Sequence, residues 1–533
     1  MQQSDRERIL VEVQQRVLDH WGRDPKKAEQ ILFDTIFFEK QRLEKESNQQ
    51  KASKELRFYQ DIYQEALNGS PNRHKQLLGK VTKHFSSEVL GYFNPNVYKV
   101  ATKAIPPGLS LLLNSVSPLR LVESLQGHGS LADQLEILGH TPALKKLANL
   151  GTVVLVPTHI SNLDSILIGF GLYKLGLPPF TYGAGLNLFS NKLLGFFMNN
   201  LGAYKVDRKK KAALYKEVLK TYAGCSMELG YHNLFFPGGT RIRCGSVERK
   251  LKMGLLGMGL DAYMHNLKKS KDKPDVFVVP CTLNYQLVLE AETLIDDHLK
   301  EVGKSRYIIE DDEFSKPKRI FDFMNRLFSL HSKIQWVIGE PMDVFGNRVN
   351  DEGDSLDRRG RLIDRRKYVE VDGAPTQVPD RDAEYVKGLA DKICESYVKE
   401  TVLNSSNLVA FTVFQLLLRK NTHLDLYRLL RTGGDEQSFA LTEIYKELDA
   451  WIKMARRLDA QGKVRLDHGL KTKDPVAILS DALAHLGTYH ESPALERQGD
   501  RLFHLNRPLL LYYQNRVSSL GLFNQKGGSH VVH

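Results

Sequence analysis

The sequence predicts an α/β protein: a mainly parallel mixed sheet flanked by helices, with helical regions before and after it. Three observations carry this. Short β-rich runs recur between about 106 and 345: TVVLVPTH (152–159), NLFFPGG (233–239), DVFVVPCTLNY (275–285) and KIQWVIGEP (333–341). Helical stretches such as KAALYKEVLKTYAGCSMELG (211–230) separate them. The runs are continuously apolar, as strands covered on both faces must be. In such sheets ligands collect beyond the C-terminal strand ends. The polar groups here stand at those ends, after VVLVP, LFF and FVVP.

Residues 1 to about 105 read as helices. RILVEVQQRVLDHW and AEQILFDTIFFEKQRLEKE place apolar residues at helical spacing. SPNRHKQLLGKVTKHF opens with a capping serine and Pro71, a helix start. Nothing in this part looks chemical, and a plain helical domain or bundle is expected. The α/β region follows over 106–345. Residues 346–384 are polar and punctuated by Gly and Pro, the texture of a linker or exposed excursion, with YVEV as one short strand. Helices return over 385–533, in YVKGLADKICESYVKETVL, NLVAFTVFQLLLRK and SFALTEIYKELDAWIKMARRLDAQG.

Composition narrows the function. The 533 residues are 42% hydrophobic and 26% charged, which is globular, and the length fits about two to four domains. The formal net charge of +12 favours acidic partners: anionic lipid, nucleic acid or phosphorylated substrates. The basic residues form no nucleic-acid module with stacking aromatics, so nucleic acid is not expected. Four scattered cysteines without C-x-x-C argue against a disulfide framework or zinc ribbon and fit a reducing compartment. The charged start MQQSDRERILVEV does not read as a secretory signal. No apolar run approaches the roughly 20 residues that span a bilayer. LVAFTVFQLLL (408–418) reads as a buried helix. A cytoplasmic protein, peripheral at the inner membrane surface, is expected. There is no P-loop, dinucleotide fingerprint, nucleophile elbow or metal-ligand spacing, so neither cofactor nor metal is expected.

Four stretches carry chemistry. In THISNLDS, His159 and Asp164 flank a strand-to-helix turn. A neutral imidazole can take a proton from an alcohol near pH 7, and a carboxylate on its other nitrogen fixes the tautomer. A capping histidine beside a dipole-favoured aspartate is the structural alternative. In GAYKVDRKKK (202–211), Lys205, Arg208 and the following lysines precede a helix, where a phosphate would relieve an unfavourable meeting of cations with the dipole. The alternative is a solvated basic surface. In FFPGGTRIRCG (235–245), Gly238, Gly239 and Thr240 form a loop that exposes backbone N–H groups, and Arg241 and Arg243 offer the fork preferred for phosphate. In VVPCTLNY (278–285), a strand ending in proline would form a wall of the site, with a plain core strand the better reading for its apolar members.

In this order the four stretches resemble the glycerolipid acyltransferase family, the glycerol-3-phosphate and lysophosphatidate acyltransferases. That family carries H-x4-D, a glycine-to-arginine block, F-P-E-G-T-R-S-R-x-G and a V-P block. NYQLVLEAETL and WVIGEPMDVFG, and more loosely the C-terminal helices, are similar to its glycerol-3-phosphate branch. The resemblance covers 105–345 firmly and 385–520 loosely, and implies that branch's fold.

The resemblance implies a mechanism. His159 is the general base and Asp164 its orienter. The base deprotonates a hydroxyl of glycerol 3-phosphate, which attacks the thioester of acyl-CoA or acyl carrier protein in phospholipid biosynthesis. Lys205, Arg208, Arg241 and Arg243 hold the phosphate, and an anionic membrane surface receives the product. Two departures stand out. Gly238 replaces the family's glutamate, which is associated with the acceptor's site. Asp207 stands where the glycerol-3-phosphate members often carry arginine. The first leaves open lysophosphatidate or dihydroxyacetone phosphate as acceptor, or a catalytically degenerate lipid-surface protein. The segment 186–204 reads as either a surface-lying amphipathic stretch or a core helix.

Overall fold

The computed structural model describes residues 3–46, 49–101, 134–189, 192–302, 319, 332–486, 490 and 492–523. The expected boundary near 105 lies outside them. Seven strands form the central sheet: β1 (Leu135–Gly139), β2 (Thr152–Pro157), β3 (Thr181–Gly185), β4 (Ala203–Val206), β5 (Asn233–Leu234), β6 (Val276–Tyr285) and β7 (Ile334–Ile338). Their order is β1-β7-β6-β2-β5-β3-β4. From β6 across to β4 every pairing is parallel, whereas β7 runs antiparallel to β6 and carries β1 parallel to itself. The mainly parallel mixed sheet is therefore as the apolar runs predict.

Details differ from the sequence reading for physical reasons. β6 does not stop at Pro280 but continues to Tyr285, buried at all ten positions. Proline removes one N–H from the ladder but keeps its carbonyl, and here that carbonyl accepts from Gly339 N at 2.8 Å. β5 is only two residues long, because the chain leaves the sheet at Phe235 to build the glycine loop. Strands β1, β3 and β4 lacked a long apolar run in LEILG, TYGAG and AYKV and are visible only through their pairing. Residues 348–375 carry five two-residue strands in antiparallel pairs, including Glu370–Val371 within YVEV.

The N-terminal helices are α1 (Gln3–Trp21), α2 (Pro25–Glu44), α3 (Gln49–Leu67) and α4 (Pro71–Val89). Asp24 and Ser70 cap α2 and α4, accepting from Lys26 N at 3.0 Å and Arg73 N at 3.3 Å, each with proline in the first turn. Ile9, Val13 and Val17 recur every fourth residue on the buried face of α1. The helices that follow β1 are α5 (Thr141–Leu150), α6 (Asp164–Lys174), α7 (Lys192–Asn200), α8 (Ala213–Glu228), α9 (Met253–Lys268) and α10 (Ala291–Val302). The apolar faces of α1–α4 close on Tyr204 of β4 and on Leu214, Tyr215, Val218 and Tyr222 of α8, so the N-terminal helices share a core with the sheet region.

One buried charge group fixes that junction. Lys210 reaches from the loop after β4 to Glu39 at 3.2 Å, Glu55 at 3.4 Å and Glu88 at 2.8 Å. Arg42 also binds Glu39 and Glu55. Burial alone would raise Glu55, but the nearby His84 imidazole and the charges of Lys210 and Arg42 hold it at about 2. Glu55, His84 and Glu88 bring potential metal-ligand atoms within 4.8 Å of one another. The Lys210 ammonium already supplies the cation there. Of the basic run after Arg208, this lysine is therefore structural and unavailable to a phosphate.

Past the β-hairpins, α11 (Pro379–Glu400), α12 (Ser405–Lys420), α13 (Leu426–Thr432), α14 (Leu441–Ala460), α15 (His468–Thr472), α16 (Pro475–Leu486) and α17 (Arg507–Ser518) complete the chain. LVAFTVFQLLL lies in α12, where Asn404 and Asn407 form a reciprocal capping box. It is buried in the same core as the sheet. Among the described residues no helix is long and apolar enough to cross a membrane.

Replacing Lys210 with methionine removes the cation shared by three carboxylates. Losing one partner of a buried ion pair destabilises by about 3 kcal/mol. Urea denaturation of K210M is expected to show a loss of that order, and a midpoint equal to wild type would reject the pinning role.

Candidate functional site

β2 ends at Pro157, and the chain turns through Thr158–Leu163 into α6, whose first residue is Asp164. That turn brings His159 and Asp164 together. Asp164 is fully buried. Its Oδ2 accepts from His159 Nδ1 at 2.9 Å, Ile160 N at 2.7 Å and Ser161 N at 3.0 Å. Its Oδ1 accepts from Tyr285 Oη at 2.5 Å. Every one of these contacts comes from a donor, so the carboxylate is the acceptor in each. Nδ1 of His159 therefore carries its proton toward Asp164, and Nε2 is left with its lone pair.

The imidazole is held on its other sides. Phe236 stacks on it with centroids 4.0 Å apart and planes 20° apart. The carbonyl of His159 accepts from Ile242 N at 2.7 Å, so the loop 236–242 wraps the histidine. Burial lowers the His159 pKa, the Asp164 contact opposes that, and the charges of Arg241 and Arg208 lower it further. Among the described residues Nε2 has no hydrogen-bond partner, so it can accept a proton from a hydroxyl.

The expected cations separate into groups. Arg208 and Arg241 lie close enough to His159 to influence it, and partial burial and the charge of Arg241 lower Arg208 itself. Arg241 Nη1 lies 3.3 Å from Glu290 Oε1. Lys205 extends from β4 over the Phe189 ring, 5.6 Å from its centroid. Arg243 instead pairs with Asp297 at 2.6 Å and Glu301 at 2.7 Å on α10, so a phosphate would compete with two carboxylates for it. Asp207 accepts from Lys209 N at 2.9 Å, and its charge reaches Arg42 on the bundle side. Gly238, Gly239 and the exposed Thr240 form the turn between Phe236 and Arg241, with Gly239 at φ +79°.

Two side chains at the site were not singled out from the sequence. Glu290, fully buried, accepts from Ser161 Oγ at 2.8 Å and Asn162 N at 3.0 Å as well as facing Arg241. It ties the histidine turn to the arginine loop. Tyr285 orients Asp164 from the far end of β6. Both stand in NYQLVLEAETL, the stretch similar to the glycerol-3-phosphate branch, where the resemblance assigns neither a role. An acid within an apolar run is the signal that could have found Glu290; Tyr285 has no such mark.

Residues 142–284 match the family model described as Acyltransferase. Over these residues the chain is similar to that acyltransferase family. The match runs from before β2 to the penultimate residue of β6 and includes His159, Asp164, Lys205, Arg208, Arg241 and Arg243. The chain is 26% identical over 381 residues to the glycerol-3-phosphate acyltransferase of Pseudomonas fluorescens strain SBW25, covering 70% of this chain and 38% of that protein. It is 24% identical over 402 residues to the one of Pseudoalteromonas translucida strain TAC 125, covering 73% and 43%. The chain thus spans about two fifths of the length of these acyltransferases.

An imidazole depressed by burial and by two cations loses its proton below the ordinary histidine value of about 6.5. Ring NMR of histidine-labelled protein is expected to show this for His159. Removing a depressing charge in R208Q should move the titration upward in pH. Removing the raising carboxylate in D164N should move it downward. An unchanged midpoint in both variants would reject the assigned contacts.

Proposed function

We propose that the protein is an O-acyltransferase that moves a fatty acyl chain from a thioester donor, acyl-CoA or acyl carrier protein, to a hydroxyl of glycerol 3-phosphate in phospholipid biosynthesis. The observation that carries this is the His159–Asp164 pair, with Nδ1 satisfied at 2.9 Å and Nε2 unpaired among the described residues, at the C-terminal end of β2 beside Arg208 and Arg241. The similarity to proteins named glycerol-3-phosphate acyltransferase supports the substrate choice.

His159 Nε2 takes the proton of the acceptor hydroxyl as its oxygen attacks the thioester carbonyl. Asp164 stabilises the imidazolium that forms. The tetrahedral intermediate collapses by breaking the C–S bond, and the proton held on Nε2 passes to the leaving thiolate. No acyl-enzyme is required. Arg208, Arg241 and Lys205 bind the phosphate, while Arg243, paired with α10, stiffens the loop. Two substrates held in attack geometry supply several kcal/mol of the barrier.

A lipid product needs a membrane to enter. Leu186 and Phe196 are 40% and 52% exposed on the segment that leads to Lys205. With a net charge of +12, they suit shallow docking on anionic lipid. Co-sedimentation with phosphatidylglycerol vesicles is expected. It should weaken with salt and weaken further in L186S/F196S, and binding indifferent to both would reject this surface.

The direct test is thiol release from palmitoyl-CoA or palmitoyl carrier protein, with and without glycerol 3-phosphate. Wild type should release thiol only with acceptor. His159→Ala should lose about 10²–10⁴-fold, the usual contribution of a general base. Undiminished transfer by the variant would refute the mechanism. Absence of acceptor-dependent release from either donor would refute the function.

A further inference from the structure

The loop around His159 contains a glycine pair whose side-chain space is already taken. A Cβ at Gly238 would lie 2.4 Å from Glu248 Oε2, and one at Gly239 would lie 2.6 Å from Lys252 Nζ. A carboxylate and an ammonium from further along the chain therefore fold over the two glycines. The arrangement is built. Glu248 Oε1 accepts from Arg249 N and Lys250 N, each at 3.1 Å, which aims the other oxygen at Gly238. Lys252 N donates to Pro237 O at 2.7 Å and anchors the returning chain beneath the loop. Among the described residues Oε2 has neither a hydrogen bond nor an ion pair.

Its position relates it to the base. Phe236, two residues before Gly238, stacks on His159, and Ile242, four residues after it, binds the His159 carbonyl. The charge of Glu248 reaches Tyr397, whose hydroxyl donates to Val156 O at 2.8 Å, three residues before His159. A half-buried carboxylate oxygen with no partner among the described residues thus faces the loop that encloses an imidazole whose Nε2 is likewise unpaired among them. Burial also raises the Glu248 carboxyl above its ordinary value, as expected where water solvates it poorly.

We infer that Glu248 positions the acceptor, its Oε2 accepting a hydrogen bond from the hydroxyl of the phosphorylated polyol that is not being acylated. This rests on the proposed function. It also assigns specificity. An ionised carboxylate only accepts. It favours an acceptor that offers a second hydroxyl, as glycerol 3-phosphate does. It disfavours dihydroxyacetone phosphate, whose carbonyl also only accepts, and 3-hydroxypropyl phosphate, which has no second hydroxyl. A site built to bind a hydroxyl discriminates strongly against analogues that lack it.

The test compares glycerol 3-phosphate with 3-hydroxypropyl phosphate by calorimetric binding, and glycerol 3-phosphate with dihydroxyacetone phosphate by kcat/KM. Wild type should prefer glycerol 3-phosphate in both. Glu248→Gln, which can still accept from the two backbone N–H groups, and Glu248→Ala should each reduce the preference by about tenfold or more. Glu248→Ala combined with Gly238→Glu, which returns a carboxylate to the same space, should recover part of it. A structural role alone would weaken both ligands equally and leave the ratios unchanged. Ratios within twofold of wild type in both single variants, with wild type active, would overturn the role of Glu248 and leave the proposed function standing. A wild type that neither binds nor acylates glycerol 3-phosphate would overturn both.

Discussion

The site depends on satisfying one carboxylate in the protein interior. Asp164 is fully buried, and an unpaired buried charge would be prohibitive. The fold supplies four donors and a helix start. Two backbone N–H groups come from the turn that follows β2, one donor is the imidazole, and one is a tyrosine at the end of β6. Asp164 is the first residue of α6, where the helix dipole favours an anion. β2 and β6 are neighbours in register, so the donors arrive together only when the centre of the sheet is formed. The orientation of His159 thus follows from the pairing of two fully buried strands.

Around this centre the chain uses buried charges to join parts that are far apart in sequence. Glu290 connects the histidine turn to Arg241, with partners 128 and 129 residues away on one side and 49 on the other. Lys210 connects the loop after β4 to three acids on α2, α3 and α4. Arg208 and Lys210 are two residues apart and serve opposite sides: one influences His159, the other is locked in the helical bundle. The N-terminal helices therefore help fix the position of a cation at the site, although they contribute no residue to the group around His159 described above.

What was legible in the sequence was what is local. His159 and Asp164 are five residues apart across one turn, so their meeting could be read from a strand end and a helix start. The apolar runs gave β2, β6 and β7 because strands buried on both faces need no polar alternation. The roles of Glu290, Lys210 and Glu248 were not legible. Lys210 looked like its neighbours in RKKK, yet Lys209 and Lys211 are exposed while Lys210 is buried. Only the acids on the inward faces of distant helices distinguish it, and Glu39 in FFEKQ gave no sign of lying at zero exposure. Gly238 invited the conclusion that a carboxylate was missing. The fold places Glu248, ten residues on, into the space that a side chain there would fill. A substitution judged at one position can be offset by a residue whose proximity only the fold creates.

The electrostatics of the site also make sense as a sequence of states. With no acceptor bound, burial first and then the charges of Arg241 and Arg208 depress the imidazole and favour its unprotonated form, the one a general base requires. On the proposed function, a phosphate settling between those arginines brings negative charge into the same space. It offsets the cations that opposed protonation, so the imidazole becomes a stronger base when the acceptor is in place. Asp164 raises the basicity of the imidazole throughout, and its hydrogen bonds from Ile160, Ser161 and Tyr285 hold it in place. The basic residues then have two roles, holding the phosphate and withholding basicity until it arrives. A site with neutral residues at 208 and 241 could still orient its histidine, but the acceptor's arrival would no longer relieve a like-charge repulsion.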